Sequence, residues 1–148
     1  MKKILLILIG LNSFMVADLR VRSYTIYDRD TKLVWLNSYA AFGNNRGNIA
    51  KGTWEEAVSY CENFFGNAGG GWRLPNKKEL LSIVDRTVRE PSISSKFTQT
   101  LNKYYWTSST SSQDKSKGWA VGFYFGFAST LAKSEVHAVR CVNTYYVF

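Results

Sequence analysis

Residues 69–84 read GGGWRLPNKKELLSIV, and this stretch decides the fold more than any other part of the chain. Its three glycines allow backbone angles closed to other residues, so we expect a turn just before Trp72 enters the interior. Pro75 favours an extended residue before it, and Asn76 with Glu79 three positions later forms the pattern of a helix capping box. The stretch therefore predicts a turn, a short extended segment and a helix that begins at Asn76.

Two helices are predicted from capping boxes and apolar spacing. The second continues from Asn76 to about Val88, with apolar residues three and four positions apart. The first begins at Thr53, where Glu56 completes a capping box. One face of this helix carries the apolar residues Trp54, Ala57, Val58, Cys61, Phe64 and Phe65. An aromatic stripe at helical spacing is usually core, so Trp54 is assigned to packing and Cys61 is expected to point inward.

β-Strands are predicted towards both ends of the chain. Residues 19–27 and 33–36 flank the turn-forming segment 28–32, which indicates a hairpin. Residues 37–52 show no periodicity and are predicted to form a loop. Three further strands are predicted at residues 104–109, 118–125 and 136–142, joined by polar connections at 110–117 and 126–135. The predicted class is α+β, with two helices packed on small antiparallel sheets.

Five motifs resemble, in the same order, the C-terminal domain family of bacterial collagen-like adhesins, the Lcl C-terminal-like domain. They are the segment from Asp28 to Trp35, Trp72-Arg73-Leu74-Pro75 with Glu79, and the short motifs around Trp106, Trp119 and Arg140. Lys32 stands where that family usually has glycine. The resemblance implies a C-type-lectin-like fold with adjacent N- and C-terminal strands, and the tail at 145–148 is predicted to lie beside the N-terminal strand. It also implies that Cys61 in the first helix pairs with Cys141 in the last strand.

The N-terminus has the layout of an export signal. Residues 1–17 contain Lys2 and Lys3, then an apolar run, then small residues that end at Ala17. Cleavage there leaves residues 18–148 as a single C-type-lectin-like domain, periplasmic or secreted, and an uncleaved anchor is the alternative. The apolar run is too short for a comfortable membrane span. Export to an oxidising compartment favours a single disulfide between the two cysteines of the chain.

No metal site and no cofactor are predicted. Two cysteines and the lone His137 fall short of a zinc-binding set. The segment Glu90-Pro91-Ser92 is only superficially similar to the Glu-Pro-Asn motif of calcium-dependent lectins. Because paired acidic and amide ligands are missing from the pattern, calcium-dependent sugar binding is disfavoured.

The chain has a formal net charge of +8, and the excess lies in its second half. Residues 86–140 contain eight Lys/Arg against three Asp/Glu, whereas residues 18–85 contain nine against eight. A localised positive surface favours polyanionic partners, although basic charge on a secreted protein also serves solubility alone. The resemblance implies an adhesin-like domain that binds sulfated polysaccharide. The residues predicted to bind it are Lys96, Lys103, Lys115, Lys117 and Trp119.

The preferred hypothesis is an exported, non-catalytic, lectin-like module for an anionic or sulfated glycan or another surface polymer. A second hypothesis is a protein-binding subunit of a cell-surface assembly, because the aromatic-rich ends of the chain suit packing against a partner. A third is a formylglycine-generating-type oxidase, which needs reactive cysteines, and both thiols are expected in a disulfide. Nucleic acid is a fourth candidate on charge alone, and export argues against it.

Overall fold

A computed structural model of the chain describes residues 18–21, 24–37, 49–64 and 70–144. The signal peptide at 1–17 and the tail at 145–148 lie outside the described residues and stay predictions, as does the part of the predicted loop at 38–48. The described elements are β1 (Leu19–Val21), β2 (Thr25–Asp28), β3 (Leu33–Leu36), β4 (Lys51–Gly52), α1 (Trp54–Glu62), β5 (Trp72–Arg73), α2 (Lys77–Ser82), β6 (Tyr104–Thr110), β7 (Lys117–Gly122), β8 (Phe127–Ala132), β9 (His137–Ala138) and β10 (Val142–Asn143). Helices and mainly antiparallel sheets in one unit confirm the α+β class.

The first sheet has the strand order β1-β2-β3-β10-β5, with antiparallel neighbours throughout. The predicted hairpin is confirmed as β2 and β3, in which Asp28 faces Leu33. The preceding residues do not continue β2, since Leu19–Val21 form a separate edge strand that pairs with it. The C-terminal strand β10 shares this sheet with the N-terminal strands. Its neighbours are β3 and β5, and β2 and β3 separate it from β1.

The turn between β2 and β3 is organised by Asp28, which is fully buried. Its carboxylate accepts hydrogen bonds from the backbone N–H of Asp30 at 3.0 Å and from the hydroxyl of Thr31 at 2.7 Å. Lys32 has a φ of 60°, the left-handed conformation for which glycine is favoured. This conformation costs a lysine roughly 1 kcal/mol, and the hydrogen bonds to Asp28 offset that cost. The turn thus adopts the left-handed backbone conformation usual for glycine, with a lysine at that position.

The second sheet has the strand order β4-β9-β6-β7-β8. The predicted hairpin of β6 and β7 is confirmed. The prediction that residues 126–135 form only a connection is wrong, because residues 127–132 are β8 and pair with β7 at six positions. β8 is an edge strand with mostly half-exposed side chains, so it lacks the alternation of apolar and polar residues that marks a half-buried strand. β4 is likewise a short strand within the segment predicted to be a loop.

The prediction of a single last strand at residues 136–142 is also wrong. β9 pairs with β4 and β6 of the second sheet, whereas β10 pairs with β3 and β5 of the first. The chain passes between the sheets at Arg140 and Cys141, where the Cys141 carbonyl accepts a hydrogen bond from the N–H of Leu36 at 3.0 Å. All residues from 138 to 143 are buried, so no alternation of buried and exposed positions marks the crossing.

Both helices begin where the capping boxes predict. The side chains of Thr53 and Glu56 bond reciprocally to the backbone at the start of α1, and those of Asn76 and Glu79 do so at the start of α2. The predicted end of α2 near Val88 is wrong, since the helix ends at Ser82. Beyond it Val84 forms a β-bridge with Ile93, and the N–H of Asp85 donates to the carbonyl of Ser92 at 3.0 Å. These backbone contacts with a later segment replace another turn of helix.

The core contains most of the tryptophans that the motifs identify. Trp72 is buried as predicted, and Trp106 is fully buried with its indole N–H donating to the Gly52 carbonyl at 3.0 Å. Trp54 is half-buried and covers Gly118, where an added Cβ would lie only 2.7 Å from the Trp54 ring. Its assignment to packing is confirmed, because this ring joins α1 to the second sheet and donates a hydrogen bond to the Thr107 carbonyl at 2.8 Å.

Candidate functional site

The Trp72-Arg73-Leu74-Pro75 motif anchors the start of α2 to β5. The guanidinium of Arg73 in β5 donates two hydrogen bonds of 2.7 Å to the carboxylate of Glu79 in α2. The same carboxylate accepts the N–H of Asn76 at 2.8 Å, and the Asn76 side chain accepts the N–H of Glu79 at 2.8 Å. Bidentate arginine–carboxylate pairs fix direction as well as distance. Arg73 therefore sets the orientation of α2 on the sheet, and with it the position of Lys77.

The charges of this pair depend on each other. Burial tends to raise the pKa of Glu79, but the hydrogen bonds from Arg73 and from the backbone of Asn76, with the Arg73 charge, outweigh it and lower that pKa. The hydrogen bond to Glu79 in turn raises the pKa of Arg73, although partial burial opposes the shift. The ionised pair is thus the stable form at neutral pH.

We expect the stability of the domain to fall with acid partly through Glu79. Its pKa is lower in the folded than in the unfolded state, so its contribution is complete above the unfolded value of about 4.3 and is lost as pH falls through the folded value. Urea unfolding of the wild type and of Glu79→Gln, measured between neutral pH and about pH 3, should show a shallower acid loss in the variant. Glu62→Gln, an exposed change at the end of α1, is the control and should keep the wild-type slope. Equal slopes for the wild type and Glu79→Gln would contradict this role.

A cation lies directly over the ring of Trp119. The ammonium nitrogen of Lys77, the first residue of α2, is 3.7 Å from the ring centroid. The Lys77 N–H donates to the hydroxyl of Ser109 at 3.0 Å, and the Trp119 carbonyl accepts the hydroxyl of Thr107 at 2.8 Å. A cation over an indole ring at this distance is attracted by the negative charge of the ring face. The helix and the sheet together hold this ammonium at the surface.

Two of the predicted lysines are close to Trp119 along the chain. Lys117 and Trp119 are two residues apart in β7 and so project from the same face of the strand. Lys115 lies in the turn that leads into β7. We call Lys77, Lys115, Lys117 and Trp119 the Trp119 surface.

Asp114, in the same turn, is engaged locally. Its side chain accepts the N–H of Ser116 at 3.0 Å and the Ser116 hydroxyl at 2.6 Å, and it lies 3.7 Å from the ammonium of Lys117. These hydrogen bonds, followed by the Lys117 charge, lower the pKa of Asp114. The carboxylate shapes the turn and neutralises only part of the positive charge on the Trp119 surface.

The other two predicted lysines lie elsewhere. The carbonyl of Lys103 accepts the N–H of Phe123, which places Lys103 at the opposite end of the β6–β7 hairpin, about 20 Å from Lys117 at about 3.3 Å per residue. The ammonium of Lys96 donates to the carbonyl of Leu19 at 2.8 Å and ties a loop to β1. The structure thus places Lys117 on the same strand face as Trp119 with Lys115 in the adjoining turn, and it does not gather all four lysines in one cluster.

Sequence reasoning missed Lys77 as a member of this surface. Its place in the first turn of α2 indicates only a solvated charge, because ring and ammonium are 42 positions apart in the chain. Only the packing of α2 against β7 brings the ring and the ammonium together. Among the other motif residues, Trp106 and Arg140 are fully buried and act in the core.

The cysteine and histidine side chains, which in other proteins bind metals or react as thiols, are each engaged with another residue. Cys61 and Cys141 form a disulfide, which confirms the predicted pairing. His137 pairs with Glu135 at 3.0 Å and packs edge-on against Trp106. Within the described ranges, no group of three or more His, Cys, Asp and Glu side chains is placed to hold a metal ion.

These features define a class: a small, disulfide-bonded α+β domain with a packed aromatic core and a basic surface. The chain belongs to the Lcl C-terminal domain family, whose match covers residues 24–143. Family and disulfide together are consistent with an adhesin-like module in an extracellular or periplasmic setting. The C-type-lectin-like form of the fold stays a prediction. No curated protein matches the chain. The helices in the described part of the chain are all too short or too polar to cross a membrane.

Proposed function

We propose that this domain is an exported, non-catalytic binding module for an anionic polymer, a sulfated or acidic polysaccharide, which it contacts through the Trp119 surface. The observation that carries the proposal is the ammonium of Lys77, held 3.7 Å over the Trp119 ring beside Lys117. A sulfate or carboxylate group at this surface accepts charge-assisted hydrogen bonds from several lysines at once. The family supports an adhesin-like setting for such contacts.

The role of Trp119 in this proposal is to position a charge. Because Lys77 covers one face of the ring, a sugar stacked on that face would first have to displace the ammonium. A ring that holds its cation in place reduces the side-chain entropy that the lysine loses when it binds an anion. Lys77 is therefore the direct contact, and Trp119 orients it.

The proposal assigns no catalysis to the domain. Its support is that neither cysteine is a free thiol, since both are consumed in the disulfide. An oxidase of the formylglycine-generating type needs a reactive thiolate.

The test is binding to heparin and to dextran sulfate. We expect Lys77→Ser/Lys115→Ser/Lys117→Ser to bind roughly ten- to a hundredfold more weakly at low salt, because each exposed charge contributes up to about 1 kcal/mol. Its melting curve should change little, since Lys115 and Lys117 are exposed and Lys77 is only half-buried. The wild type should bind less tightly as salt rises. Trp119→Leu, with all cations kept, should lose several-fold in affinity if the ring orients Lys77.

The matched control removes the same amount of charge from other places. Arg20→Ser/Lys32→Asn/Lys51→Ser removes three exposed cations from β1, from the β2–β3 turn and from β4. Equal losses in the two triple variants would show that only net charge matters and would contradict a site at the Trp119 surface. Lys96→Ser/Lys103→Ser measures whether a long chain also reaches the two distant lysines that were predicted from the sequence.

Failure of the unmodified protein to bind either polymer near physiological salt would overturn the proposal. The protein-binding hypothesis would then be preferred. Pull-down from cell-surface extracts alongside a glycan array would test it.

A further inference from the structure

A second surface, at the tip of the β7–β8 hairpin, exposes aromatic side chains. Phe125 and Phe127 are 52% and 62% exposed, and Tyr124 beside them is 37% exposed. Val88, in the neighbouring loop, is 43% exposed. We call these four residues, with Arg86 and Arg89, the aromatic tip. Isolated exposed apolar residues are ordinary, but several large rings exposed at one hairpin end mark an interaction surface.

The tip is held in place by the loop that follows α2. Gly126 has a φ of 76°, and an added Cβ there would collide with the side chain of Val84. The guanidinium of Arg86 donates to the Gly126 carbonyl at 2.8 Å. The rings therefore project from a closely packed turn and keep their outward position without a ligand.

Each exposed phenylalanine has an arginine beside it. The guanidinium carbon of Arg86 lies 5.3 Å from the centroid of Phe127, and that of Arg89 lies 5.7 Å from the centroid of Phe125. Asp85 and Glu90 are in the same loop, and the Asp85 carboxylate accepts both the N–H and the hydroxyl of Thr87. Both phenylalanine rings thus have a cation against them, and one of the two carboxylates in the loop is hydrogen-bonded within it.

The size of the tip bears on what it binds. With 150–250 Å² for a whole aromatic side chain, the exposed parts of these four side chains amount to roughly 300–400 Å². A stable protein interface buries about 800 Å² on each partner, so the tip is too small to hold a second copy or another protein by itself. A lipid surface sets no such minimum, because each ring enters it independently.

We propose that the aromatic tip docks the domain on an anionic phospholipid surface, with Phe125 and Phe127 at the boundary of headgroups and acyl chains and with Arg86 and Arg89 at the phosphates. Aromatic rings flanked by cations suit this boundary, which is apolar on one side and negatively charged on the other. Attachment is peripheral and reversible, and it uses a surface separate from the Trp119 surface.

The experiment is co-sedimentation of the disulfide-bonded protein with vesicles of phosphatidylcholine that contain about one third phosphatidylglycerol, and with vesicles of phosphatidylcholine alone. The wild type should partition to the anionic vesicles. Phe125→Ser/Phe127→Ser should lower the partition coefficient by tenfold or more for each ring. A variant with Phe125→Trp that keeps Phe127 should bind the anionic vesicles as the wild type does, because position 125 again has a ring. Arg86→Gln/Arg89→Gln should lose about fivefold per arginine on anionic vesicles and little on neutral ones.

The matched control, Val21→Ser/Val136→Ser, removes two side chains of similar exposure from other surfaces and should bind as the wild type does. Melting curves of the phenylalanine and valine variants should overlay that of the wild type, since their changed side chains are exposed, whereas Arg86→Gln also removes the hydrogen bond to the Gly126 carbonyl. Absence of vesicle binding by the wild type at low salt would overturn the proposal. So would binding that survives loss of both phenylalanines but disappears in the triple lysine variant of the Trp119 surface, or self-association that depends on the phenylalanines without vesicles. Failure of polysaccharide binding would leave this result unaffected.

Discussion

Removing the disulfide by Cys61→Ala/Cys141→Ala is expected to lower the free energy of unfolding by about 4 kcal/mol. The bond closes a loop across 80 residues, and its loss frees the unfolded chain from that constraint. Both cysteines are fully buried. Loss of the disulfide therefore also loosens the contact between α1 and the segment in which the chain passes from the second sheet to the first. Urea and thermal unfolding measure the effect, and the melting temperature should drop by about 15 °C.

The control is reductant, which should destabilise the wild type towards the double variant and leave the variant unchanged. Thiol titration of the unreduced, denatured wild type should find no free thiol. Two free thiols would contradict the bond and reopen a redox or metal role for these cysteines. A loss of less than about 1 kcal/mol would mean that the reduced chain retains structure that already brings the two segments together.

Arg140→Ala is expected to cost about 3–5 kcal/mol of stability, the other large effect. The guanidinium is fully buried and donates to the carbonyls of Leu36 and Gln99, each at 2.5 Å, and to the hydroxyl of Thr100 at 2.9 Å. It also lies 5.0 Å from the centroid of Phe97. Among the described residues no carboxylate pairs with it, so carbonyl dipoles and ring faces balance its charge. Truncation leaves a cavity, takes the donor from the buried Leu36 carbonyl and breaks the bonds to the half-buried Gln99 and Thr100.

Arg140→Lys and Arg140→Met separate the two parts of that cost. Methionine fills much of the volume but leaves the carbonyls unpaired, whereas lysine keeps the charge but has no planar fork to reach both carbonyls. Each should fall between the wild type and Arg140→Ala in urea unfolding. Arg20→Ala, at an exposed position in β1, should change stability by less than about 0.5 kcal/mol. A wild-type curve for Arg140→Met would show that the hydrogen bonds contribute little and that packing alone matters.

The start of each helix could be predicted because the interactions are local. Thr53 with Glu56, and Asn76 with Glu79, contact backbone groups three residues away, so their spacing already contains the geometry. The end of α2 could not be predicted. It depends on Val84 and Asp85 finding backbone partners nine and seven residues later, in Ile93 and Ser92, and these contacts compete with a further helical turn.

For the candidate site, residue type was informative and position was not. Lys115, Lys117 and Trp119 were predicted from charge and from a motif. β7 holds Lys117 and Trp119 on one face, and Lys115 lies in the turn before this strand. Lys96 and Lys103 have the same chemistry, but one is tied to β1 and the other lies at the far end of the hairpin. Charge counts along the chain cannot distinguish these cases, because the distance between two charges depends on the paths of strands that are paired far apart in sequence.

By itself, the sequence determined the α+β class, both helix starts, the hairpins of β2 with β3 and of β6 with β7, the inward direction of Cys61 and its partner. These follow from local hydrogen bonds, apolar periodicity and the motifs of the family. Only the tertiary structure decided that residues 127–132 form an edge strand, that the last run divides between two sheets at Arg140, and that Lys77 lies on Trp119. Each of these depends on a contact between segments distant in the chain. The free energy of such a contact depends on both segments, and the sequence of one segment does not show which other segment will pack against it.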